Sequence, residues 1–145
     1  MSSLGVITVI GVVVLVVLGW FLYRRFAQDK IDDLIKKRKA DAKIAVPADF
    51  IEANQKIPVA LALTSDALYY ENADLEARLD LNQIEEVEYG NDLLTGREIP
   101  NGRVLRLRSH GHSFEFVLDK INGEKFESLL PQHRADEPGR VHVNG

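Results

Sequence analysis

Two histidines, His110 and His112, are the side chains whose types most suggest a metal site, and a single glycine separates them. Two imidazoles need at least one further ligand, and no carboxylate stands beside them to supply it. A histidine pair at the tip of a turn is more typical of a solvent-exposed hairpin. We therefore predict that this pair binds no metal and that the chain carries no cofactor.

Three acidic side chains, Glu85, Glu86 and Glu88, form a second group that could do chemistry. Catalysis by carboxylates needs a positioned partner and a cleft, and the sequence locates neither. A solvated or edge-protecting strand face accounts better for the cluster. The chain also has no cysteine and none of the patterns of phosphate-binding loops, zinc proteases or nucleophile elbows. The sequence therefore predicts a protein that is not an enzyme and has no catalytic residues.

Three arginines, Arg103, Arg106 and Arg108, lie along one predicted strand and raise the question of nucleic-acid binding. Glu115 lies opposite Arg106 if the segment forms a hairpin, so part of this positive charge is neutralised. Residues 46–145 hold ten Lys and Arg against eighteen Asp and Glu, a net charge of −8. Because an acidic domain repels phosphate backbones, we predict no nucleic-acid partner.

The elements that position these groups begin with an apolar segment, LGVITVIGVVVLVVLGWFLY, at residues 4–23. Its twenty residues carry no charge, and as a helix they span about 30 Å, the thickness of a bilayer's hydrocarbon core. A backbone in lipid must satisfy its own hydrogen bonds, which favours a helix despite the many β-branched residues. A cleaved signal peptide would need a basic start and a shorter apolar run. We therefore predict a permanent, single-pass transmembrane helix.

Four residues are predicted to anchor this helix at the membrane interface: Trp20, Tyr23, Arg24 and Arg25. Aromatic rings settle at the headgroup level, and an arginine at the bilayer centre costs about 2.5–3.5 kcal/mol. Eight Lys and Arg lie within residues 24–45, and none precedes them. The positive-inside rule then places the N-terminus outside and everything after Tyr23 in the cytoplasm, at the inner membrane if the source is bacterial. The lipid bilayer is thus the first predicted partner.

Residues 24–46 contain no glycine or proline, and apolar residues recur at helical spacing within them. We predict a cytoplasmic helical neck that ends before Pro47. Its apolar stripe is narrow and is interrupted by Arg38. Three roles are open for it: a solvated stalk, which we favour, a lysine-rich surface on anionic lipid, and a seat for a partner helix.

After the neck the hydrophobic spacing changes from helical to alternating, which predicts β-strands. Turns at residues 65–66 and near residues 72–73 would join three antiparallel strands. Leu68 would then face Leu63 on one side and Ala77 on the other. Both registers keep the large side chains on one face, and this agreement supports the meander.

The rest of the domain is predicted from three further segments. Residues 84–89 predict a fourth strand, and VLRLRSHGHSFEFVLD predicts a hairpin that pairs Leu105 with Phe116. KINGEKFESLLPQH predicts a short helix with Asn122 as its N-cap. Between the fourth strand and the hairpin, NDLLTGREIPNG predicts a long loop, and residues 133–145 predict a flexible tail.

Six short antiparallel strands and one helix predict a mainly β fold with flanking helices. The strands would form a small barrel or half-barrel over residues 55–132, closed by the C-terminal helix. This order, with LTSDALYY, LDLNQIEEVEYG and FEFVL leading into KFESLL, resembles the PH-like superfold and is most similar to bacterial PH-like and GRAM-type modules. The resemblance implies an adaptor for membranes, peptides or proteins. Eukaryotic PH domains bind phosphoinositides with a basic first hairpin, whereas ALTSDAL carries an aspartate and no Lys or Arg.

Two functions remain open. In the first, the membrane-anchored PH-like domain docks a protein or peptide, on an open sheet edge or on the Asn91–Gly102 loop. In the second, the chain is a structural or accessory subunit of a membrane complex and interacts through its transmembrane helix. Both functions predict a further partner, a membrane or cytoplasmic protein. Homo-oligomerisation also stays open, because Gly5, Gly11 and Gly19 permit close helix packing.

Overall fold

The computed structural model describes residues 3–144 of the chain, with every side chain in that range except that of Leu4. Its elements follow in the order α1 (Ser3–Lys39), β1 (Ile44–Glu52), β2 (Gln55–Leu63), β3 (Ala67–Glu71), β4 (Glu76–Asp80), β5 (Ile84–Gly90), β6 (Gly102–Ser109), β7 (His112–Asp119) and α2 (Lys120–Leu129). The predicted fold class is confirmed, because the chain is mainly β with a long N-terminal helix and a short C-terminal one.

The N-terminal helix α1 joins the apolar segment and the first part of the predicted neck into one continuous element. It is long and apolar enough to cross a membrane, and its most apolar stretch is not buried within the molecule. Leu15, near the middle of that stretch, is 70 % exposed. Within the described residues, no other part of the chain covers this apolar surface.

The neck prediction is wrong beyond Lys39, where the helix ends. The backbone N–H of Ala42 still donates to the carbonyl oxygen of Arg38 at 2.8 Å, and the strand β1 then begins at Ile44. The β domain therefore starts about ten residues before the predicted boundary at residue 55.

The unpredicted strand β1 lies in the middle of the sheet. It pairs with β2 along its whole length but with β7 only from Asp49 to Ile51. Pro47 precedes this doubly paired section, so its missing N–H removes no bond to β7. A proline can thus occupy a central strand here, which the usual reading of proline as a strand breaker does not anticipate.

The seven strands form one antiparallel sheet in the order β4-β3-β2-β1-β7-β6-β5, with no pairing between its two outer strands. Only a 3-10 turn, Leu81–Gln83, connects these outer strands, and such a link spans at most about 14 Å. In a flat seven-stranded sheet the outer strands would lie about 29 Å apart. The sheet must therefore roll up, so that it forms an open half-barrel whose edges approach each other at this turn.

The strand registers agree with the sequence at two of three hairpins. Leu63 pairs with Leu68 as predicted, and Leu105 pairs with Phe116. The register between β3 and β4 was predicted wrongly by two residues, since Leu68 pairs with Leu79 and not with Ala77. A shift of two residues keeps the same side chains on the core face, so the predicted inner face survives the error.

The inner face of the rolled sheet encloses the main core, and α2 seals one end of it. Phe126 and Leu130 are fully buried there, in the same core as the aromatic cluster of Phe50, Tyr70 and Phe116. Asp119 is the N-cap of α2 and accepts a hydrogen bond from the backbone N–H of Asn122. The prediction of Asn122 as the cap was therefore wrong, because the helix begins three residues earlier than its side chain suggested.

The C-terminal segment 133–145, predicted to be a flexible tail, packs on the domain within the described residues; Gly145 lies outside them. His133 forms two backbone hydrogen bonds with Val87 on the outer edge of β5. Val141 is buried against the core and shares a cleft with Arg78 of β4. The segment thus runs from one edge of the half-barrel to the other and covers part of its opening.

We predict that Tyr89 makes the stability of the chain sensitive to alkaline pH. Its buried hydroxyl donates to the carbonyl oxygen of Leu130 at 2.6 Å, and burial raises the pKa of Tyr89 far above its ordinary value. The unfolded chain then ionises first, so stability is intact below about pH 10 and falls as the pH rises further. The measurement is urea unfolding of the full chain in detergent micelles at about pH 8 and about pH 11.

Tyr89→Phe separates this effect from general alkaline damage. At about pH 8 the variant should lose about 1–3 kcal/mol, because the Leu130 carbonyl is left without its donor. Its further decline at alkaline pH should be shallower than that of the parent. The control is Tyr23→Phe, which changes an exposed ring and should decline as the parent does. An equally steep alkaline decline in Tyr89→Phe would contradict the prediction.

Candidate functional site

The last three turns of α1 pack on the outer face of the sheet. Ile31 and Ile35 are 4 % and 9 % exposed, and they cover alanines at positions 45, 60 and 62 of β1 and β2. Small side chains on this face let the helix backbone approach the strands closely. The favoured interpretation of the neck as a solvated stalk was therefore wrong, because its apolar stripe is covered by the domain that follows it.

Arg38, which interrupts the apolar stripe, fixes the end of this packing through a charge. Its Nε donates to Oε1 of Glu71 at 2.6 Å, and the Glu71 side chain is only 7 % exposed. Its guanidinium also lies over the ring of Tyr69, 3.9 Å from the ring centroid. The hydrogen bond with Glu71 raises the pKa of Arg38 further above its ordinary value. The pair ties α1 to β3 and neutralises a carboxylate that would otherwise be buried alone.

The four predicted interface anchors lie on α1 about two to three turns before Ile31, the first isoleucine that packs on the sheet. Trp20, Tyr23, Arg24 and Arg25 are all exposed, and the guanidinium of Arg24 lies 5.2 Å from the centroid of the Trp20 ring. The structure therefore brings one arginine and one aromatic anchor together on the helix surface. Their place at a membrane interface remains a prediction.

The other residues considered for chemistry are distributed over the β6–β7 hairpin and its neighbours. His110 and His112 are exposed at the turn, and no group of three metal-ligating side chains occurs among the described residues. Arg106 pairs with Glu115 at 3.2 Å, as predicted, and also with Glu88 at 3.2 Å. These charged side chains therefore stabilise the sheet and the loop beside it.

A cleft of about 830 Å³ opens between the Asn91–Gly102 loop and α2. Its charged lining residues are Asp92, Glu98, Arg103, Lys120, Glu124 and Glu127. Arg103 is engaged by Glu127 through two hydrogen bonds at 2.8 and 3.1 Å. The charge left for a ligand comes from three carboxylates and one ammonium group, so the cleft is acidic.

The long loop is held in one shape by the outer face of the sheet. Arg106 donates to the carbonyl oxygen of Asp92 at 2.9 Å, and the buried carboxylate of Glu115 accepts from the backbone N–H of Leu94 at 3.0 Å. At the other end, Ile99 packs over Gly102 so closely that a Cβ on that glycine would lie 2.7 Å from its Cγ2. The shape of the cleft is thus defined by contacts that fix both ends of its loop.

The length and turn residues of the Asn91–Gly102 segment predicted a loop, but they did not predict the contacts that fix its conformation. The pairing of Arg106 with Glu115 was predictable from the hairpin register. The second contact of Glu115, with the backbone of Leu94, joins residues that no local pattern relates.

No protein-family model, no curated protein and no solved structure matches this chain. Its function must therefore be argued from the geometry alone.

The two edges of the sheet differ as docking surfaces. The outer edge of β5 already pairs with His133 at Val87. The outer edge of β4 has no strand beside it within residues 3–144, but Arg78 and Asp80 on this strand form an exposed ion pair. Charged side chains are a common protection of edge strands against pairing. The cleft beside the Asn91–Gly102 loop is therefore the stronger candidate site.

Proposed function

We propose that this chain is a single-pass, membrane-anchored and non-enzymatic protein that presents a PH-like domain on the cytoplasmic face of a membrane, where the domain docks a protein or peptide segment. The observation that carries the proposal is the acidic cleft between the Asn91–Gly102 loop and α2. Ligand sites are commonly built from loops that a rigid scaffold positions, and Arg106 and Glu115 supply such a support here.

The anchoring part of the proposal is supported by the exposed apolar surface of α1. The basic residues that follow this surface support a cytoplasmic domain through the positive-inside rule. The PH-like part is supported by the order of elements. The sequence predicted a run of antiparallel strands followed by one C-terminal helix, and the additional strand β1 leaves this order unchanged.

The charge of the cleft defines the kind of segment it would accept. Asp92, Glu98 and Glu124 line it with carboxylates, against the single ammonium group of Lys120. Complementary charge selects partners and repels those of the same sign. A segment rich in lysine and arginine fits this site, whereas the phosphates of anionic lipid and nucleic acid are disfavoured.

The test uses the purified full chain in micelles of a neutral detergent and a fluorescent peptide rich in lysine and arginine. The parent chain should bind the peptide in an anisotropy titration. The double variant Glu98→Lys/Glu124→Lys should bind about tenfold more weakly, which corresponds to about 1.4 kcal/mol. The matched control, Glu76→Lys/Glu85→Lys, makes the same change in net charge at exposed positions outside the cleft. Equal weakening in both variants would contradict docking in the cleft.

The alternative function, a structural or accessory subunit that interacts through the membrane helix, is favoured by the uncovered apolar surface of α1. It is distinguished by replacing residues 4–23 with an unrelated apolar sequence of equal length in the full chain. A photocrosslinker at Asn91 should capture the same partner before and after the replacement if the cleft docks it. Loss of the adduct only after the replacement would favour the subunit function.

A further inference from the structure

The helix α1 crosses the sheet in a defined direction. Near its C-terminal end, Arg38 contacts Tyr69 and Glu71 of β3. The two isoleucines that precede it cover β2 and β1. Gln28, one further turn toward the apolar segment, lines a cleft with Val117 and Asp119 of β7. Movement along the helix toward its apolar part is therefore movement across the sheet from β3 to β7.

The length of helix between the apolar segment and this cleft is short. Gln28 follows Tyr23 by five residues, which is about 7.5 Å along a helix axis. The headgroup layer on each side of the hydrocarbon core is about 5–8 Å thick. If Tyr23 lies at the edge of the hydrocarbon core, Gln28 lies at the outer limit of the headgroups. The domain residues that share its cleft then lie at the same depth.

The residues around Gln28 include parts of β1 and β2, the Ile99–Asn101 turn, and Asp119, which is the N-cap of α2. The first turn of α2 carries Ile121, whose side chain is 67 % exposed. Outside α1, Ile121 and Leu94 are the large hydrophobic side chains that the described residues leave this exposed. A single exposed isoleucine is ordinary in water, but this one lies two residues from Asp119, which lines the cleft with Gln28.

The opposite end of the domain lies beside the C-terminal end of α1. The backbone N–H of Lys43 donates to the carbonyl oxygen of Leu63 at 2.7 Å, just before the Ser65-Asp66 turn. Lys39, the last residue of α1, follows Tyr23 by sixteen residues, which is about 24 Å along the axis. The Ser65-Asp66 turn is therefore separated from the apolar segment by most of the docked helix.

We propose that α1 holds the domain in one orientation on the bilayer, with the Ile99–Asn101 turn and Ile121 nearest the lipid headgroups and the Ser65-Asp66 turn facing away. The Ile99–Asn101 turn also lines the acidic cleft, so a segment docked there would lie beside the membrane surface. This inference rests on the proposed membrane anchoring by α1. The helix imposes this contact. Attraction to anionic lipid does not drive it, because Asp119 and Glu98 place acidic groups at this end of the domain. Zwitterionic lipid is therefore sufficient for it.

The test exploits the absence of cysteine from the chain. Ile121→Cys, Lys120→Cys and Ser65→Cys are each labelled with a small fluorophore, and the full-length proteins are reconstituted in phosphatidylcholine vesicles. A fraction of the lipid carries a nitroxide on its headgroup, which quenches fluorophores that lie near it. Quenching should be severalfold stronger at positions 120 and 121 than at position 65. Lys120→Cys retains Ile121, so the result does not depend on keeping an isoleucine at the labelled site.

Flotation of the same vesicles separates the two levels of the inference. Protein that floats with the vesicles but is quenched equally at all three positions would overturn the orientation and leave the anchoring in place. Protein that does not float would overturn the anchoring and the orientation together. Stronger quenching at position 65 than at position 121 would reverse the proposed orientation and so overturn it.

Discussion

Replacing Ile31 with alanine is expected to weaken the docking of α1 on the sheet by about 2–4 kcal/mol. The side chain is almost completely buried over the small residues of β1 and β2, so its removal loses apolar contact and leaves a cavity. The main core lies on the other face of the sheet and does not include Ile31. The loss should therefore concern the helix more than the strands.

Amide hydrogen exchange of the full chain in micelles measures this effect by segment. Peptides covering residues 27–39 should exchange faster in Ile31→Ala, while peptides from β6 and β7 should keep their protection. The control is Phe26→Ala, which removes a large side chain from the same helix at an exposed position. Exchange of the docked segment that is the same in both variants would contradict the assigned packing.

Replacing Arg38 with methionine is expected to lower the free energy of unfolding by about 2–4 kcal/mol, because it leaves the buried Glu71 carboxylate without its partner. Methionine keeps an apolar side chain over Tyr69, so the loss reports mainly on the charge. The matched control is Arg78→Met. Arg78 also lies near the Tyr69 ring, but its ion pair with Asp80 is exposed and should contribute little.

A double variant separates the ion pair from the packing around it. In Arg38→Met/Glu71→Leu no unpaired charge is left buried at this site, so urea unfolding should recover much of the stability lost in the single variant. If the double variant is less stable than Arg38→Met, Glu71 stabilises the domain through another contact. If Arg38→Met and Arg78→Met unfold alike, the pair with Glu71 has no special role.

The docking of α1 was missed although the sequence contains one sign of it. In β2, the residues that alternate with the large core side chains are Pro58, Ala60 and Ala62. A strand with solvent on one face usually carries polar residues there, whereas a strand covered on both faces is apolar throughout. This apolar outer face indicates a covering element. The stripe on α1 with Ile31 and Ile35 is the element that matches it.

Other features could not be obtained from local patterns. Arg38 looked like an interruption of the stripe because its partner, Glu71, lies 33 residues later in the chain. The strand β1 was concealed by Pro47, which argues against a central strand until the extent of each pairing is known. The hairpin of β6 and β7, by contrast, was predictable in register because its turn and its alternation agree.

If α1 spans a bilayer as proposed, its continuity links the domain mechanically to the membrane. No break separates the apolar part of the helix from the part docked on the sheet, so both parts and the domain would tilt together as one rigid body. Ile35 lies about 33 Å along the axis from Val13, near the middle of the apolar part. A change of about 10° in tilt, of the kind that helices use to match bilayers of different thickness, would swing the domain sideways by roughly 6 Å. Membrane thickness would then set where the domain stands over the surface.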